Sequence, residues 1–181
     1  SRAAGRVTYP AKFMLVAAQN PCPCGYLGDP KHNCRCNTSQ IIRYQKKVSG
    51  PMLDRIDIHL EVPAVEFGKL TSESIRQSNI ESSDQIRKRV QKARDLQTKR
   101  FRKTKIVSNS EMTAKQIKEF CQLSIECMNL LRLAVSKMNL SARSYHRIIK
   151  IARTIADLEG STKIESNHIA EALQYRPTDL S

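Results

Sequence analysis

The chain has 181 residues, of which 40% are hydrophobic and 27% are charged, a composition typical of a folded protein and not of a disordered one. It carries 31 Lys and Arg against 17 Asp and Glu, and this net charge of +14 favours a polyanionic partner, most commonly nucleic acid, over a basic surface that is merely solvated. No apolar run approaches the ~18 residues of a membrane span, and the N-terminus has no signal-peptide pattern. We therefore predict a cytoplasmic protein without a membrane partner, in which cysteines serve as thiols or metal ligands and not as disulfides.

Two segments in the front half have the pattern of β-strands. Residues 12–19 form a nearly continuous apolar run that ends at an Asn-Pro pair, as in the buried strand of a parallel sheet. Residues 57–62 alternate apolar and polar side chains and stop at a proline. A cysteine-rich loop (22–36) and a short helix over about 38–47 lie between them. Because two strands do not make a stable sheet, we interpret residues 1–66 as the C-terminal part of an α/β domain whose other strands lie upstream.

The back half has the 3.6-residue apolar periodicity of helices. Residues 67–83 are rich in Ser and polar groups and are interpreted as a linker, and residues 84–181 as an all-α domain. Asp84, Thr113 and Ser141 are predicted to cap helices at their N-termini, and Gly160 is predicted to end one. The predicted helices span residues 85–100, 114–121, 124–137, 141–159 and 165–175.

Three polar residues are candidates for phosphate chemistry. Asn20 follows the first predicted strand, at the sheet edge where open α/β domains bind ligands; the alternative, which the local pattern favours, is that it only opens a turn. Arg55 is flanked by aspartates before the second strand, and arginine stabilises a transferring phosphoryl group; the alternative is a salt-bridged turn residue. Arg143 lies in the first turn of a helix, where backbone N–H groups and the helix dipole favour anions; the alternative is an exposed basic side chain.

The cysteine-rich loop has a C-x-C…C-x-C pattern with nine residues between the pairs. Cys22, Cys24, Cys34 and Cys36 together offer the four thiolates of a tetrahedral structural Zn²⁺ site, and His32 is an alternative ligand to one of them. The other interpretation is a reduced, turn-rich loop without metal. The remaining two cysteines lie in helix-like segments and are expected in the core.

The helix predicted over 85–100 and the residues after it are strongly basic. Such a stripe fits the phosphate backbone of nucleic acid, contacted without regard to sequence. An acidic surface on an adjacent subunit and a helix with no partner are the alternatives. The predicted nucleic-acid-binding residues are Arg87, Lys88, Lys92, Lys99, Arg100, Arg102 and Lys103.

Three stretches, "FMLVAAQNPCPCGY", "SGPMLDRIDIHLEVP" and "LSARSYHRIIKIARTIADLEG", closely resemble the magnesium-chelatase-like ComM/YifB family of AAA+ ATPases. The resemblance runs from about residue 1 to 175 and implies an α/β fold (a partial AAA+ P-loop core) followed by an all-α helical lid domain. It also implies that Asn20 is the sensor-1 residue, Arg55 the arginine finger for a neighbouring subunit's ATP, and Arg143 the sensor-2 residue of the lid. No G-x-x-x-x-G-K-[S/T] loop occurs in these 181 residues, so ATP and Mg²⁺ are expected only in a full-length protein and this part is expected to be inactive alone.

The family further implies a function. Relatives assemble as rings, and we expect self-association, with a hexamer as the expected form. ComM-type members resemble DNA helicases that drive branch migration during DNA uptake, which makes DNA the predicted client. An ATPase with a metal-chelation or protein client, and a non-catalytic, zinc-stabilised binding module, are the alternatives.

Overall fold

A computed structural model describes residues 5–9, 11, 13–63 and 81–176 of the chain. The chain divides into two units, Ser1–Val48 and Ser49–Ser181. Within the described residues the regular secondary structure is helical, and a 3₁₀ turn occupies Asn109–Glu111. The helices are α1 (Thr38–Gln45), α2 (Gly50–Leu53), α3 (Ser83–Phe101), α4 (Ala114–Phe120), α5 (Ile125–Lys137), α6 (Ala142–Glu159) and α7 (Ser166–Gln174). None of them is long and apolar enough to cross a membrane.

The first unit is a loop-rich segment that carries α1. A capping box starts this helix: the Asn37 side chain accepts a hydrogen bond from the Gln40 backbone N–H, and the Asn37 backbone N–H donates one to the Gln40 side-chain oxygen. The strand predicted over 12–19 is not formed among its described residues, 13–19. Apolar side chains in it remain open to solvent, with Met14 88% exposed. The segment has the composition of a buried strand, but a strand needs a neighbouring strand to satisfy its backbone groups.

The second unit also lacks its predicted strand. Residues 57–62 form no strand, and Val62 is 88% exposed. One backbone hydrogen bond ties this segment to the end of the helical region, from the His59 N–H to the Tyr175 carbonyl (2.9 Å). The described residues thus bear out the helical half of the predicted fold, whereas they do not show an α/β sheet. Residues 64–80, which include most of the predicted linker, lie outside the described part of the chain.

Local capping signals explain most helix ends in the second unit. Thr113 and Ser141 cap α4 and α6 as predicted, and Gly160 ends α6 in the left-handed conformation at φ 82°. The prediction that Asp84 caps the basic helix is wrong. Ser82 caps it instead, through a capping box with Gln85, so the carboxylate of Asp84 falls in the first turn of α3.

An aliphatic core joins the helices of the second unit. Helix α6 packs against α3, α4 and α7, and α7 also packs against α5. Phe101 at the end of α3 meets Phe120 edge to face, with ring centroids 5.4 Å apart. A parallel β-bridge between Leu123 and Ile164 links the segments before α5 and α7. The most buried apolar side chains of this core are Phe101, Cys127, Leu131, Ile148, Ile149, Ala152, Ile169 and Ala172.

A buried polar network fixes α3 against α6. The Asp157 carboxylate is fully buried and accepts hydrogen bonds from Arg100 Nη1 (2.7 Å) and from Arg153 Nε (3.1 Å). Asn109 in the 3₁₀ turn donates to the same carboxylate (2.8 Å) and to the Thr154 hydroxyl (3.1 Å). Because a buried carboxylate needs paired donors, this network specifies how these three elements meet.

Candidate functional site

Arg55 lies on an exposed turn directly after α2. Pro51 stands in the first turn of α2, where its fixed φ favours the helix, and Asp54 forms the C-cap. Backbone hydrogen bonds from Arg55 to Met52 and from Ile56 to Leu53 close the turn. The Arg55 guanidinium donates to the Pro51 carbonyl and is otherwise exposed. This placement offers the guanidinium to a group outside the unit.

Helix α6 holds the residues on both sides of Arg55. Arg147 Nη2 donates to the Asp54 carboxylate (2.9 Å), and Arg147 Nη1 donates to the Ile56 carbonyl (2.6 Å). The Ser144 hydroxyl also donates to Asp54 (3.2 Å). Partial desolvation raises the pKa of Asp54, but the hydrogen bonds from Ser144 and Arg147 outweigh this effect together with the positive charges of Arg147 and Arg143. The pKa of Asp54 therefore lies below its ordinary value.

A histidine braces the same turn from the other end. His59 Nε2 lies 3.2 Å from the carbonyl oxygens of both Leu53 and Ile56. Since carbonyls only accept hydrogen bonds, Nε2 must carry the proton in this arrangement. The Ile56 carbonyl therefore receives donors from both His59 and Arg147, and the backbone that carries Arg55 is fixed at its two ends.

Arg143 lies in the first turn of α6, near the Arg55 turn. Ser141 caps the helix by accepting a hydrogen bond from the Ser144 N–H (3.1 Å). The exposed Arg143 guanidinium approaches the Asp54 carboxylate at 3.6 Å. Asp54 thus lies beside Arg143 in space and beside Arg55 in the chain. Asn20, the third predicted phosphate-contacting residue, lies exposed in the first unit, next to Gly25 of the cysteine-rich loop.

Sequence reasoning missed the residues that brace the Arg55 turn. Arg147 stands one helical turn after Arg143, and this i,i+4 spacing places the two guanidinium groups on the same face of α6. That spacing was the available signal. Nothing in the sequence indicated that Asp54, about 90 residues earlier in the chain, would be their shared partner.

Cys22, Cys24, Cys34 and Cys36 form a four-cysteine cluster in the first unit, as predicted from their spacing. Their Sγ atoms all lie within 4.8 Å of one another, and those of Cys22, Cys24 and Cys34 are 3.4 to 3.7 Å apart. Tetrahedral Zn²⁺ with Zn–S bonds of about 2.3 Å would place its thiolates about 3.8 Å apart, so the donor set fits that ion. Backbone N–H groups of Tyr26 and Arg35 donate to Cys24 and lower its pKa to about 6.

His32 does not join this cluster. Its ring packs on Tyr26 with centroids 4.9 Å apart, and Nδ1 lies 3.4 Å from the Asp29 carboxylate. Asp29 also accepts hydrogen bonds from the Lys31 and His32 backbone N–H groups. The alternative in which His32 replaces a thiolate is therefore not supported by the geometry.

The basic residues of α3 fall into two groups. Six of the predicted nucleic-acid-binding side chains are exposed, and Arg87 pairs with Asp84 at the surface (2.8 Å). Arg100 differs, because its guanidinium is only 17% exposed and is bound by Asp157. We therefore remove Arg100 from the predicted nucleic-acid surface. The remaining set, called the α3 basic surface below, is Arg87, Lys88, Lys92, Lys99, Arg102 and Lys103.

Two sequence-family profiles match the chain side by side. Residues 1–70 match the family described as magnesium chelatase, subunit ChlI, and residues 80–176 match its C-terminal domain. The chain belongs to the magnesium-chelatase-like ComM/YifB family. It is 44% identical to competence protein ComM of Haemophilus influenzae over 97% of this chain and 33% of that protein. It is 41% identical to YifB of Escherichia coli and 39% identical to YifB of Salmonella typhimurium, each over 99% of this chain and 34% of the relative. The chain thus spans about a third of the length of these relatives.

Proposed function

We propose that this chain is the C-terminal part of an AAA+ ATPase whose subunits hydrolyse ATP at their interfaces. The observation that carries the proposal is the exposed Arg55 turn, braced by the same helix that presents Arg143. In this proposal Arg55 reaches the neighbouring subunit's ATP and stabilises charge on the transferring phosphoryl group, which is the usual task of an arginine finger. Asn20 senses the γ-phosphate as sensor 1, and Arg143 acts as sensor 2.

The rest of the nucleotide site belongs to residues outside this chain. Residues 1–66 complete an α/β core when joined to the upstream strands, and residues 84–181 form the lid. ATP and Mg²⁺ are bound by the assembled protein, in a ring that we take to be a hexamer, and this part alone is inactive. The four-cysteine cluster holds a structural Zn²⁺, because four protein thiolates leave no open position for catalysis.

DNA is the proposed client, moved by an ATP-driven helicase or branch-migration activity in the cytoplasm. The α3 basic surface supports this, since it places six exposed cations along one helix and the turn that follows it. A relative is named a competence protein, which agrees with work on incoming DNA. The second candidate is a metal-chelation or protein client, and the magnesium chelatase description of the matching family favours it.

Arg55→Ala tests the ATPase proposal in the intact protein. We expect ATP binding to persist and turnover to fall by at least a hundredfold, because a finger supplied in trans contributes about 10³ to 10⁵ in turnover. Arg132→Ala is the matched control, as Arg132 is an exposed arginine on α5. Mixing Arg55→Ala subunits with subunits that lack the phosphate-loop lysine should restore part of the activity, since some interfaces then combine an intact loop with an intact finger. Unchanged turnover in Arg55→Ala would refute the finger role.

A charge-reversal pair tests the DNA proposal. One variant replaces four lysines of the α3 basic surface with Glu: Lys88, Lys92, Lys99 and Lys103. The control variant replaces four exposed lysines elsewhere in the second unit with Glu, so the two variants have the same net charge. The control lysines are Lys115, Lys118, Lys137 and Lys163.

Affinity for single-stranded DNA is measured by anisotropy across a salt series. The first variant should lower the slope of log K against log salt by about 0.7 for each lost phosphate contact, up to about 3 in all, whereas the control should change it little. Equal losses in both variants would show that net charge alone matters, and no DNA binding by the parent protein would favour the second candidate.

A further inference from the structure

The Arg147 side chain connects helix α6, which carries Arg143, to the turn that carries Arg55. Arg147 donates from Nη2 to the Asp54 carboxylate at 2.9 Å and from Nη1 to the Ile56 carbonyl at 2.6 Å. Asp54 and Ile56 are the two chain neighbours of Arg55. One guanidinium therefore binds the Asp54 side chain on one side of Arg55 and the Ile56 backbone carbonyl on the other, while the Arg55 side chain stays exposed.

These contacts hold the Arg55 turn firmly against helix α6. The Arg147 side chain is 11% exposed, so water competes weakly for its hydrogen bonds. A guanidinium is planar and holds its donors in a fixed fork, which lets one group serve a carboxylate and a carbonyl at once. Ser144 adds a second connection from α6, because its hydroxyl contacts both Asp54 and Arg147. The lid helix is thereby attached to the Arg55 turn by side chains from consecutive turns.

We propose that Arg147 and Asp54 are positioning residues that fasten the Arg55 turn to helix α6, so that any movement of the lid helix moves Arg55 with it. Arg143 begins the same helix, one turn before Arg147, and lies 3.6 Å from Asp54. An ATP-dependent shift of α6 sensed through Arg143 is then transmitted to Arg55 by the Arg147–Asp54 pair. The inference rests on the proposed arginine-finger function and deepens it.

The test is a double-mutant cycle in the intact ATPase, with Arg147→Lys, Arg55→Ala and the two changes combined. Lysine keeps the positive charge, but its compact ammonium group cannot bind the Asp54 carboxylate and the Ile56 carbonyl with the fork geometry of a guanidinium. We expect Arg147→Lys to lower kcat at least tenfold while KM for ATP stays within twofold. In the Arg55→Ala background the same change should cause no further loss, because Arg147 acts through Arg55. Lys150→Met is the control on the same helix, since the Lys150 ammonium group donates its hydrogen bond to the Ser110 carbonyl (2.8 Å).

The outcomes separate the two proposals. Full turnover in Arg55→Ala overturns the proposed function itself. Loss in Arg55→Ala with normal kcat in Arg147→Lys overturns only the positioning role, as does an additional loss in the combined variant. If Arg147→Lys fails to fold, the cycle is repeated with Asp54→Asn, which keeps the side-chain shape but removes the charge that Arg147 grips. The same comparison then decides the inference.

Discussion

Arg100 provides a test of the boundary between core and surface on the basic helix. Arg100→Gln removes the hydrogen bonds to Asp157 and one to the Asn109 side chain (2.9 Å). Removing one partner of a buried ion pair costs about 3–5 kcal/mol when the other charge is left alone. Asp157, which is fully buried, keeps Arg153 and Asn109, so we expect a smaller loss of about 2–3 kcal/mol.

Amide hydrogen exchange of α6 in the intact protein measures this loss. A change of about 2–3 kcal/mol corresponds to roughly 30- to 150-fold faster exchange, since about 1.4 kcal/mol is a factor of ten. Lys99→Gln is the matched control: it removes the same charge from the adjacent exposed position and should alter stability by less than about 0.5 kcal/mol. The two variants should have the opposite ranking in DNA binding: Lys99→Gln should reduce the salt dependence of the DNA affinity, and Arg100→Gln should leave it unchanged. Equal exchange rates for the two variants would refute the structural role of Arg100.

Further predictions concern the metal, the core and pH. With Zn²⁺ bound, the four-cysteine cluster should resist thiol reagents at pH 8, and a chelator should make four thiols reactive. Cys121 should stay protected, because burial raises its pKa to about 11. A count of more or fewer than four reactive thiols would contradict the cluster. Leu131→Ala, at a position 1% exposed, should cost about 2–5 kcal/mol in chemical denaturation, whereas exposed Leu133→Ala should cost less than about 0.5 kcal/mol. Because the pKa of Asp54 is lowered, the stability that comes from its ion pair with Arg147 is fully present above about pH 4. This stability is lost as the pH falls through the lowered pKa. The NMR signal of the Arg147 side-chain N–H groups should follow that loss, and a signal constant down to pH 2 would show that the carboxylate charge is not needed.

Local signals in the sequence were sufficient to predict the helices other than the four-residue α2, and to predict the cysteine cluster. Thr113, Ser141 and Gly160 mark helix ends because a cap depends on residues within one turn of it. The C-x-C pairs converge because a loop of nine residues, turned at glycines with positive φ such as Gly25 and Gly28, brings them together. The prediction of Asp84 as the cap was wrong because Ser82, two residues earlier, is followed at the third position by Gln85 and forms a capping box with it. The third residue after Asp84 is Arg87, which cannot complete such a box.

Features that depend on contacts between distant parts of the chain could not be predicted from local sequence patterns. The strands predicted over 12–19 and 57–62 have strand composition, but ladder pairing is decided by neighbours and not by composition. Arg100 looked like its basic neighbours in the sequence. Its partner Asp157 lies 57 residues away, and the buried positions Ala93, Gln97 and Phe101 show that this side of α3 turns toward the core. A helical projection of those three positions would have separated Arg100 from the surface lysines.

The contacts that hold the Arg55 turn agree with the proposed role of Arg55 as an arginine finger. Fixing one residue's backbone costs roughly 1–2 kcal/mol, and an arginine side chain adds about 2 kcal/mol of rotamer entropy. A finger on a mobile loop would lose both quantities each time it met the neighbouring subunit's ATP. Here Arg147 and His59 fix the backbone before that encounter, and only the Arg55 side chain remains to be ordered. Under the proposed function, helix α6 with its Arg147 lowers the entropic cost of the reaction at the neighbouring subunit's ATP, and weakening the contacts of Arg147 should slow turnover without weakening ATP binding.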